Sequence, residues 1–502
     1  MFSMKRWLIY LLLTFIFFLG FYFRLYGIKD NHSFWADEAY ISSVARDLSS
    51  GKITIAEAVK LPGANYQPLA LLISTFSFKL FGASEFSARL PYVIFGTIGI
   101  LFAYLLAARL SDKSGGLLAA FLYAFSQLNL ANSTQAKPYT AIESLILIIL
   151  YLLFLVEEKK TKNVYLIHLS VIVTACLSTL FHLLGVLAWI PYIVFLLIKY
   201  YSKIPAVLLK PKRYFPFLIL IGAALFIIKP LYLIKTLFTL QGGKLLPYNH
   251  TTLLRELFWR NYAFIILPSI FGIIASYRKN KNLTLGIIVY TAISIGLWNF
   301  RHYSHNIRYL LPVFGIFFVY FGVFWAEVGN GLFQKKSWLA CLIVASLVFL
   351  GGYKIVRKPN IYYSPNADLY GDVQVADYKS VFSTLEKKFI DLSQIVVFND
   401  LIDAQKWYLE KKVDACFMKG VAKPLPHPAA GGTMIYGTLD QFLREKAKHP
   451  RGLLIVEDWE SILPEEIKQY AKKNMKLEFR IEGLPQAQGD NWPIEVYSWG
   501  ME

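Results

Sequence analysis

Trp35-Ala36-Asp37-Glu38-Ala39-Tyr40 sets two adjacent carboxylates just beyond the first long apolar run of the chain. At a water-lined membrane interface a carboxylate can take a proton from a hydroxyl or hold a metal. Asp37 also fits the cap of a helix beginning at Glu38, and a capping carboxylate keeps a second oxygen for chemistry. A second polar concentration, Asn299-Phe300-Arg301-His302-Tyr303-Ser304-His305-Asn306-Ile307-Arg308-Tyr309, carries two Arg and two His in one short turn. Guanidinium offers a planar fork to phosphate, so this turn suits an anionic headgroup. Arg24, where the first apolar run ends, and Arg89 in Ala88-Arg89-Leu90-Pro91 have the same capacity, or else snorkel as interfacial anchors. Lys137 and Tyr139, in Gln135-Ala136-Lys137-Pro138-Tyr139, and His182 beside Phe181 and Gly185 complete the candidate binding residues. A lone interfacial His is equally a packing residue with one hydrogen bond. There is no His-x3-His or Cys-x2-Cys spacing, so a divalent metal ion would draw on Glu38, His182 and His302 from separate loops.

These groups need a scaffold, and composition says what kind. Of the 502 residues, 56% are apolar and only 17% charged, and the mean hydropathy is +0.45, the signature of a membrane protein. The net charge of +19 then reflects loops facing anionic lipid rather than nucleic acid. Three cysteines, two of them (Cys176 and Cys341) inside apolar runs, give no disulfide framework. Crossing the hydrocarbon takes about 20 apolar residues. On that rule spans fall near 7–25, 88–109, 115–131, 138–156, 163–181, 183–199, 214–230, 260–277, 283–299, 308–326 and 337–353, about eleven in all. The first has no small-x-small cleavage signal behind it and reads as a retained signal anchor.

The basic clusters Lys5/Arg6, Lys159/Lys160/Lys162, Lys199/Lys203/Lys210/Lys212/Arg213, Arg278/Lys279/Lys281 and Lys335/Lys336 all fall on one side of this count. That side is expected to be cytoplasmic, with the N-terminus inside. The loop from Tyr26 to Ser87 and everything after residue 354 are then extracytoplasmic. Within the first loop, Ile41, Val44, Ala45 and Leu48 recur at helical spacing, with Gly51 as a stop, and predict a helix lying on the membrane. Pro68 to Phe81, short for a span and ended by Gly82, is by length either interfacial or crossing, and a crossing would flip every later loop against the basic clusters. From about Lys358 strands are predicted at 394–398, 452–457, 476–481 and 494–498, and helices at 404–411, 439–448 and 464–473. The expected division is therefore a membrane domain over 1–354 and a small α/β domain over 355–502.

The order of these features resembles a known group. Arg24-Leu25, Trp35-x-Asp37-Glu38-Ala39, Tyr66-Gln67-Pro68-Leu69, Phe81-Gly82-x-Ser84-Glu85-Phe86-x-x-Arg89-Leu90-Pro91, Gln135-x-Lys137-x-Tyr139, His182 and Arg308-Tyr309-Leu310-Leu311-Pro312 follow one another. Over residues 5–325 this resembles the C-type (GT-C) membrane glycosyltransferases of the protein O-mannosyltransferase and lipid A aminoarabinose transferase group. The resemblance implies a polyprenyl-phosphate sugar donor and transfer with inversion on the outer face of a cell (inner) membrane. The acceptor would be an extracytoplasmic lipid, glycan or protein. It gives Asp37 the role of general base and Glu38 that of orienting Asp37 or touching a metal. The leaving lipid phosphate would be met by Arg308, Arg301, Arg89 and Lys137, with Arg24, Tyr139, His182, His305 and Tyr309 nearby. Asn65 and Gln67 stand where the group often carries His or Lys, and Lys137 where it often carries Arg. The donor sugar of the aminoarabinose enzymes is therefore not carried over. The rival reading is a lipid-linked sugar flippase or other transporter. Such a protein would place charge deep within its spans and break helices in paired halves, whereas the polar residues here collect at one interface.

Overall fold

The computed structural model describes residues 6–158, 163–200, 248–301, 306–334, 336–352, 354–363, 376–389, 391–411, 413–426, 432–457, 461–483 and 493–501. Along them run α1 (Arg6–Leu25), α2 (Ala36–Ser49), α3 (Pro68–Phe81), α4 (Glu85–Leu110), α5 (Lys113–Phe125), α6 (Gln127–Ser133) and α7 (Tyr139–Glu157). Next come α8 (Val164–Phe181), α9 (Trp189–Tyr200), α10 (Ala263–Lys279), α11 (Lys281–Phe300), α12 (Leu311–Leu332) and α13 (Ser337–Gly351). The last four helices are α14 (Tyr378–Lys388), α15 (Ile402–Tyr408), α16 (Leu439–Ala447) and α17 (Glu465–Asn474).

Two compact units share these elements. The helical unit comprises Met1–Ile28, Tyr66–Ala70 and Arg89–Gly371, and the sheet unit comprises Lys29–Asn65, Leu71–Ala88 and Asp372–Glu502. Composition changes near residue 354, but the compact units are drawn differently, because most of the first polar loop packs with the C-terminal sheet.

Among the described residues seven helical segments are long and apolar enough to cross a membrane. An eighth candidate, Thr251–Asn261 with Ala263–Lys279, bends by 90° at its break. The expected span at 214–230 lies outside the described residues. The expected span at 115–131 is in fact two helices, α5 and α6, parted at Ser126. The cause is a distant partner. Ser126 bridges to Ile355, with Gln127 N–H donating to the Lys354 carbonyl at 3.0 Å and Val356 N–H to the Phe125 carbonyl at 2.8 Å. α13 is likewise only 15 residues long, short of a full crossing.

α12 lies at the centre of the helical unit, almost wholly buried, and packs on α5, α7, α10 and α13, whereas most of α1 faces outward. Lipid tails supply no hydrophobic drive between helices, so close backbone approach carries the packing. At the α5–α12 crossing two glycines meet. A Cβ on Gly322 would lie 2.2 Å from the Gly115 carbonyl oxygen, and one on Gly115 would lie 2.7 Å from that of Gly322.

In the sheet unit seven strands run in the order β3-β4-β2-β1-β5-β7-β6, with β1 Val396–Asn399, β2 Ala415–Phe417, β3 Leu425–Pro426, β4 Met434–Tyr436, β5 Gly452–Glu457, β6 Lys476–Ile481 and β7 Ile494–Trp499. β4, β2, β1 and β5 are parallel, β3 and β7 run against them, and β6, antiparallel to β7, runs in their direction again. Strand side chains alternate between faces. Val397, Leu453, Ile455 and Val496 therefore pack with Phe382 and Leu385 of α14, while Phe398, Leu454 and Val456 pack with Phe442 and Ile467. The four predicted strands and three predicted helices of this region are all present. β2, β3, β4 and α14 were not expected, the first three because two- and three-residue strands leave almost no periodicity to read.

Gly322→Ala is expected to lower the stability of the helical unit by about 1–3 kcal/mol, since the new methyl group must displace a backbone carbonyl. Thermal unfolding in detergent measures it, and an unchanged midpoint would mean that the α5–α12 crossing tolerates separation.

Candidate functional site

In the sheet unit, the carboxylate pair divides its labour. α2 begins at Ala36, two residues before the expected start, and Asp37 is not its cap. Glu38, fully buried, reaches back so that its Oε2 accepts the Trp35 N–H at 3.2 Å. That is the carboxylate half of a capping box, and it also places negative charge at the positive end of the helix. Asp37 is turned to the exposed side of the same first turn.

α2 packs along α15. Arg46 donates to the carbonyls of Trp407 at 2.8 Å and Lys406 at 2.7 Å, pairs with Glu410 at 3.1 Å, and lies 4.8 Å from the Trp407 ring centre. Lys406 in turn pairs with Asp47 at 2.9 Å. This alignment brings Asp403 into the field of Asp37. Burial raises the Asp403 carboxyl to about 7, with Lys406 opposing the rise and the Asp37 charge adding to it.

In the helical unit, the proposed phosphate ligands fall into two classes. Arg24 and Arg89 are both fully buried and bonded to backbone. Arg24 donates to the carbonyls of Gly20 (3.0 Å), Ala124 (2.9 Å) and Tyr123 (3.0 Å), and Arg89 donates to that of Ile28 at 3.2 Å. Lys137 is also buried.

Arg308 is placed otherwise. Asn306 caps a short 3-10 turn, Ile307–Leu310, its Oδ1 accepting the Arg308 N–H at 3.0 Å. The Arg308 guanidinium sits 5.4 Å from the ring centre of Tyr139 and 5.2 Å from that of Tyr309, and donates to the Tyr309 hydroxyl at 3.2 Å. Tyr139 meets Tyr309 edge to face at 5.2 Å and lies 5.4 Å from the His182 ring. His182 ends α8, and its Nδ1 accepts the Leu184 N–H at 3.1 Å. Two expected site residues, Tyr139 and Tyr309, thus frame one half-buried cation, with His182 against Tyr139, the arrangement in which cation–π attraction holds a guanidinium in place. Beside them is a narrow slot with room for about 10 Å³, whose walls include Tyr139, Tyr309, Tyr290, Leu184, Leu187 and Pro312. Arg301 is half-buried and ends α11, while His302 and His305 lie outside the described residues.

Among the described residues no three His, Cys, Asp or Glu side chains gather as a metal site requires. Glu38 serves the capping box and the His182 Nδ1 serves a backbone N–H, so neither presents that atom to a metal.

One residue passed over in the sequence is Glu143. It lies one turn into α7, fully buried, with Tyr123 Oη donating to Oε2 at 2.8 Å and Asn129 Nδ2 donating to Oε1 at 3.3 Å. Its signal was present, as a single carboxylate within the apolar run from Tyr139 to Val156.

Comparison with known proteins fits this architecture. Residues 64–233 match the dolichyl-phosphate-mannose-protein mannosyltransferase family. No curated protein matches the chain by sequence. Among solved structures, ArnT of Cupriavidus metallidurans in the apo state superposes with a TM-score of 0.63 at 11% identity, covering 97% of each chain. The same protein bound to undecaprenyl phosphate gives 0.62 at 11% identity, covering 99% of this chain and 98% of that one. The oligosaccharyltransferase AglB of Archaeoglobus fulgidus, solved with an inhibitory peptide and a dolichol-phosphate, gives 0.54 at 11% identity, covering 90% and 69%.

The Asp403 carboxyl yields a signed pH effect. Its folded value lies above the ordinary aspartate value, so its contribution to stability is full below pH about 4 and is lost as pH rises through about 7. Asp403→Asn, which cannot ionise, is expected to unfold at a higher temperature than wild type at pH 8 and at the same temperature at pH 4. Identical midpoints at pH 8 would mean that ionising Asp403 costs the fold nothing.

The chain thus shares its fold with these solved membrane glycosyltransferases, and over residues 64–233 it matches the mannosyltransferase family.

Proposed function

We propose that the protein moves a single sugar from a polyprenyl-phosphate donor to a hydroxyl or phosphate of an extracytoplasmic lipid or glycan, with inversion at the anomeric carbon. The observation that carries this reading is the Arg308 guanidinium framed by Tyr139 and Tyr309. A cation so fixed can receive the charge that develops on a departing phosphate without first reorganising. ArnT bound to undecaprenyl phosphate and AglB bound to dolichol-phosphate are precedents in this fold for a lipid phosphate as ligand.

In the proposed step the acceptor oxygen attacks the anomeric carbon and the sugar–phosphate bond breaks, its electron pair leaving with the lipid phosphate. Asp37 takes the acceptor proton, and Arg308 stabilises the phosphate, assisted by Arg301 and Lys137. Glu38 holds the first turn of α2. Arg24 and Arg89, bonded to backbone carbonyls, support helix geometry in this scheme. The basic clusters support a topology with the N-terminus cytoplasmic and residues after 354 outside.

Asp37→Asn is expected to reduce transfer by roughly 10²–10⁴-fold, the usual worth of a general base, while the protein still inserts and folds. Near-normal turnover in a reconstituted assay with a polyprenyl-phosphate sugar would remove Asp37 from that role. Arg308→Ala is expected to weaken donor binding by about tenfold or more, and Arg308→Lys by less, because lysine keeps the charge and loses the fork. Equal donor affinity in both variants and wild type, read by mass spectrometry of retained lipid, would take Arg308 out of the site.

A further inference from the structure

Glu85, in the Phe81-Gly82-x-Ser84-Glu85-Phe86 block, has no task in the step above, yet it is almost wholly buried. Within the sheet unit its two carboxylate oxygens are both taken. Oε1 accepts a short hydrogen bond from the Tyr408 hydroxyl, and Oε2 accepts from Lys379 Nζ at 3.1 Å. The Tyr408 oxygen, having donated its proton to Glu85, accepts the backbone N–H of Phe34 at 2.8 Å. Phe34 is fully buried and stands three residues before Asp37, its ring 5.0 Å from that of Trp407. The residue before it is tied as well. Ser33 Oγ donates to Asp377 Oδ1 at 3.1 Å and accepts the Lys379 N–H at 2.9 Å. The Tyr408 ring is itself stacked on Phe382, 5.9 Å away and 18° from parallel.

Just ahead of Asp37, Phe34, through its backbone N–H, and Ser33, through its hydroxyl, are therefore both tied to residues of the C-terminal segment. A charged acceptor strengthens the O–H it receives, and a hydroxyl polarised in this way is a better acceptor for the next donor in line. A displacement of about 1 Å at a reacting group can cost roughly a hundredfold in rate.

We propose that the C-terminal sheet unit is a positioning element for transfer, acting through Tyr408, whose hydroxyl, oriented by Glu85, holds the Phe34 backbone and so sets the placement of Asp37. This rests on the transferase reading and deepens it. Tyr408 is a positioning residue and touches no reacting atom. Donor binding, assigned to Arg308, is independent of it.

The test is Tyr408→Phe in the full-length protein, which keeps the ring and removes one oxygen. Ser33→Ala serves as a second variant should Tyr408→Phe fold poorly. Two readouts are taken on each. Hydrogen exchange at the Phe34 amide uses no turnover and is expected to speed up by about tenfold or more in Tyr408→Phe, as its acceptor is lost. Steady-state transfer is expected to lose about tenfold in kcat with KM for the lipid donor unchanged, the pattern of a defect confined to the transition state. A general loss of structure would instead move both constants. Faster exchange with kcat unaltered overturns the proposal, because the tie would then exist without positioning anything. Unaltered exchange and kcat in both variants overturns it as well. Failure of the transferase reading is seen separately, as a wild type that transfers no sugar while its Phe34 amide is protected.

Discussion

A membrane interior offers no water to an unpaired polar group, and the helical unit is organised around that constraint. A guanidinium and a carboxylate are buried within it, and each has had to find partners from other helices. Arg24 of α1 closes on the carbonyls that end α5, and Glu143 of α7 takes the hydroxyl of Tyr123 and the amide of Asn129. Tyr123 belongs to both sets, through its carbonyl to Arg24 and through its hydroxyl to Glu143. Four helices, α1, α5, α6 and α7, are thereby held in one register by four hydrogen bonds between them. Glu143 also fixes the first turn of α7, and Tyr139 stands one turn earlier on the same face. The placement of the aromatic frame around Arg308 follows from this buried polar core. Its far wall is equally constrained, since a Cβ on Gly315 of α12 would lie 2.7 Å from a Glu143 oxygen.

The sheet unit meets a different requirement by similar means. Its parallel strands reverse direction of growth between β1 and β5, and the chain leaving β1 becomes α15. In open α/β sheets the carboxyl ends of strands flanking such a reversal are where functional groups collect. Here the helix that follows β1, α15, carries α2 from the first polar loop, clamped by Arg46 on the C-terminal carbonyls of α15. An arginine at those carbonyls satisfies groups that a helix end leaves open and complements its dipole.

Much of this was legible in order and kind. Runs of about 20 apolar residues gave the span candidates, and short runs rich in strand-forming residues gave β5, β6 and β7 to the residue or nearly so. The helix after Asp37 and its stop at Gly51, where φ is +76°, were also readable, because they depend on local spacing and on a conformation that glycine adopts freely. The break at Ser126 was not, since its cause lies more than two hundred residues further on. Nor was the different standing of Arg24, Arg89 and Arg308, three interfacial arginines that look alike in one dimension. Only the neighbours show that two are bonded to backbone carbonyls and one is framed by tyrosine rings.

The sequence by itself determined that this is a many-spanning membrane protein with an α/β appendage, and which short motifs hold its acids, cations and aromatics. Those properties are local, set by hydropathy over a window and by residue type at a spacing. Tertiary structure alone decided that the first polar loop belongs with the C-terminal sheet, that Glu38 and not Asp37 serves the helix end, and that Tyr408 holds the chain ahead of Asp37. These depend on which groups become buried beside one another. Burial is a property of contacts between segments far apart in the chain, and nothing in a linear pattern specifies them.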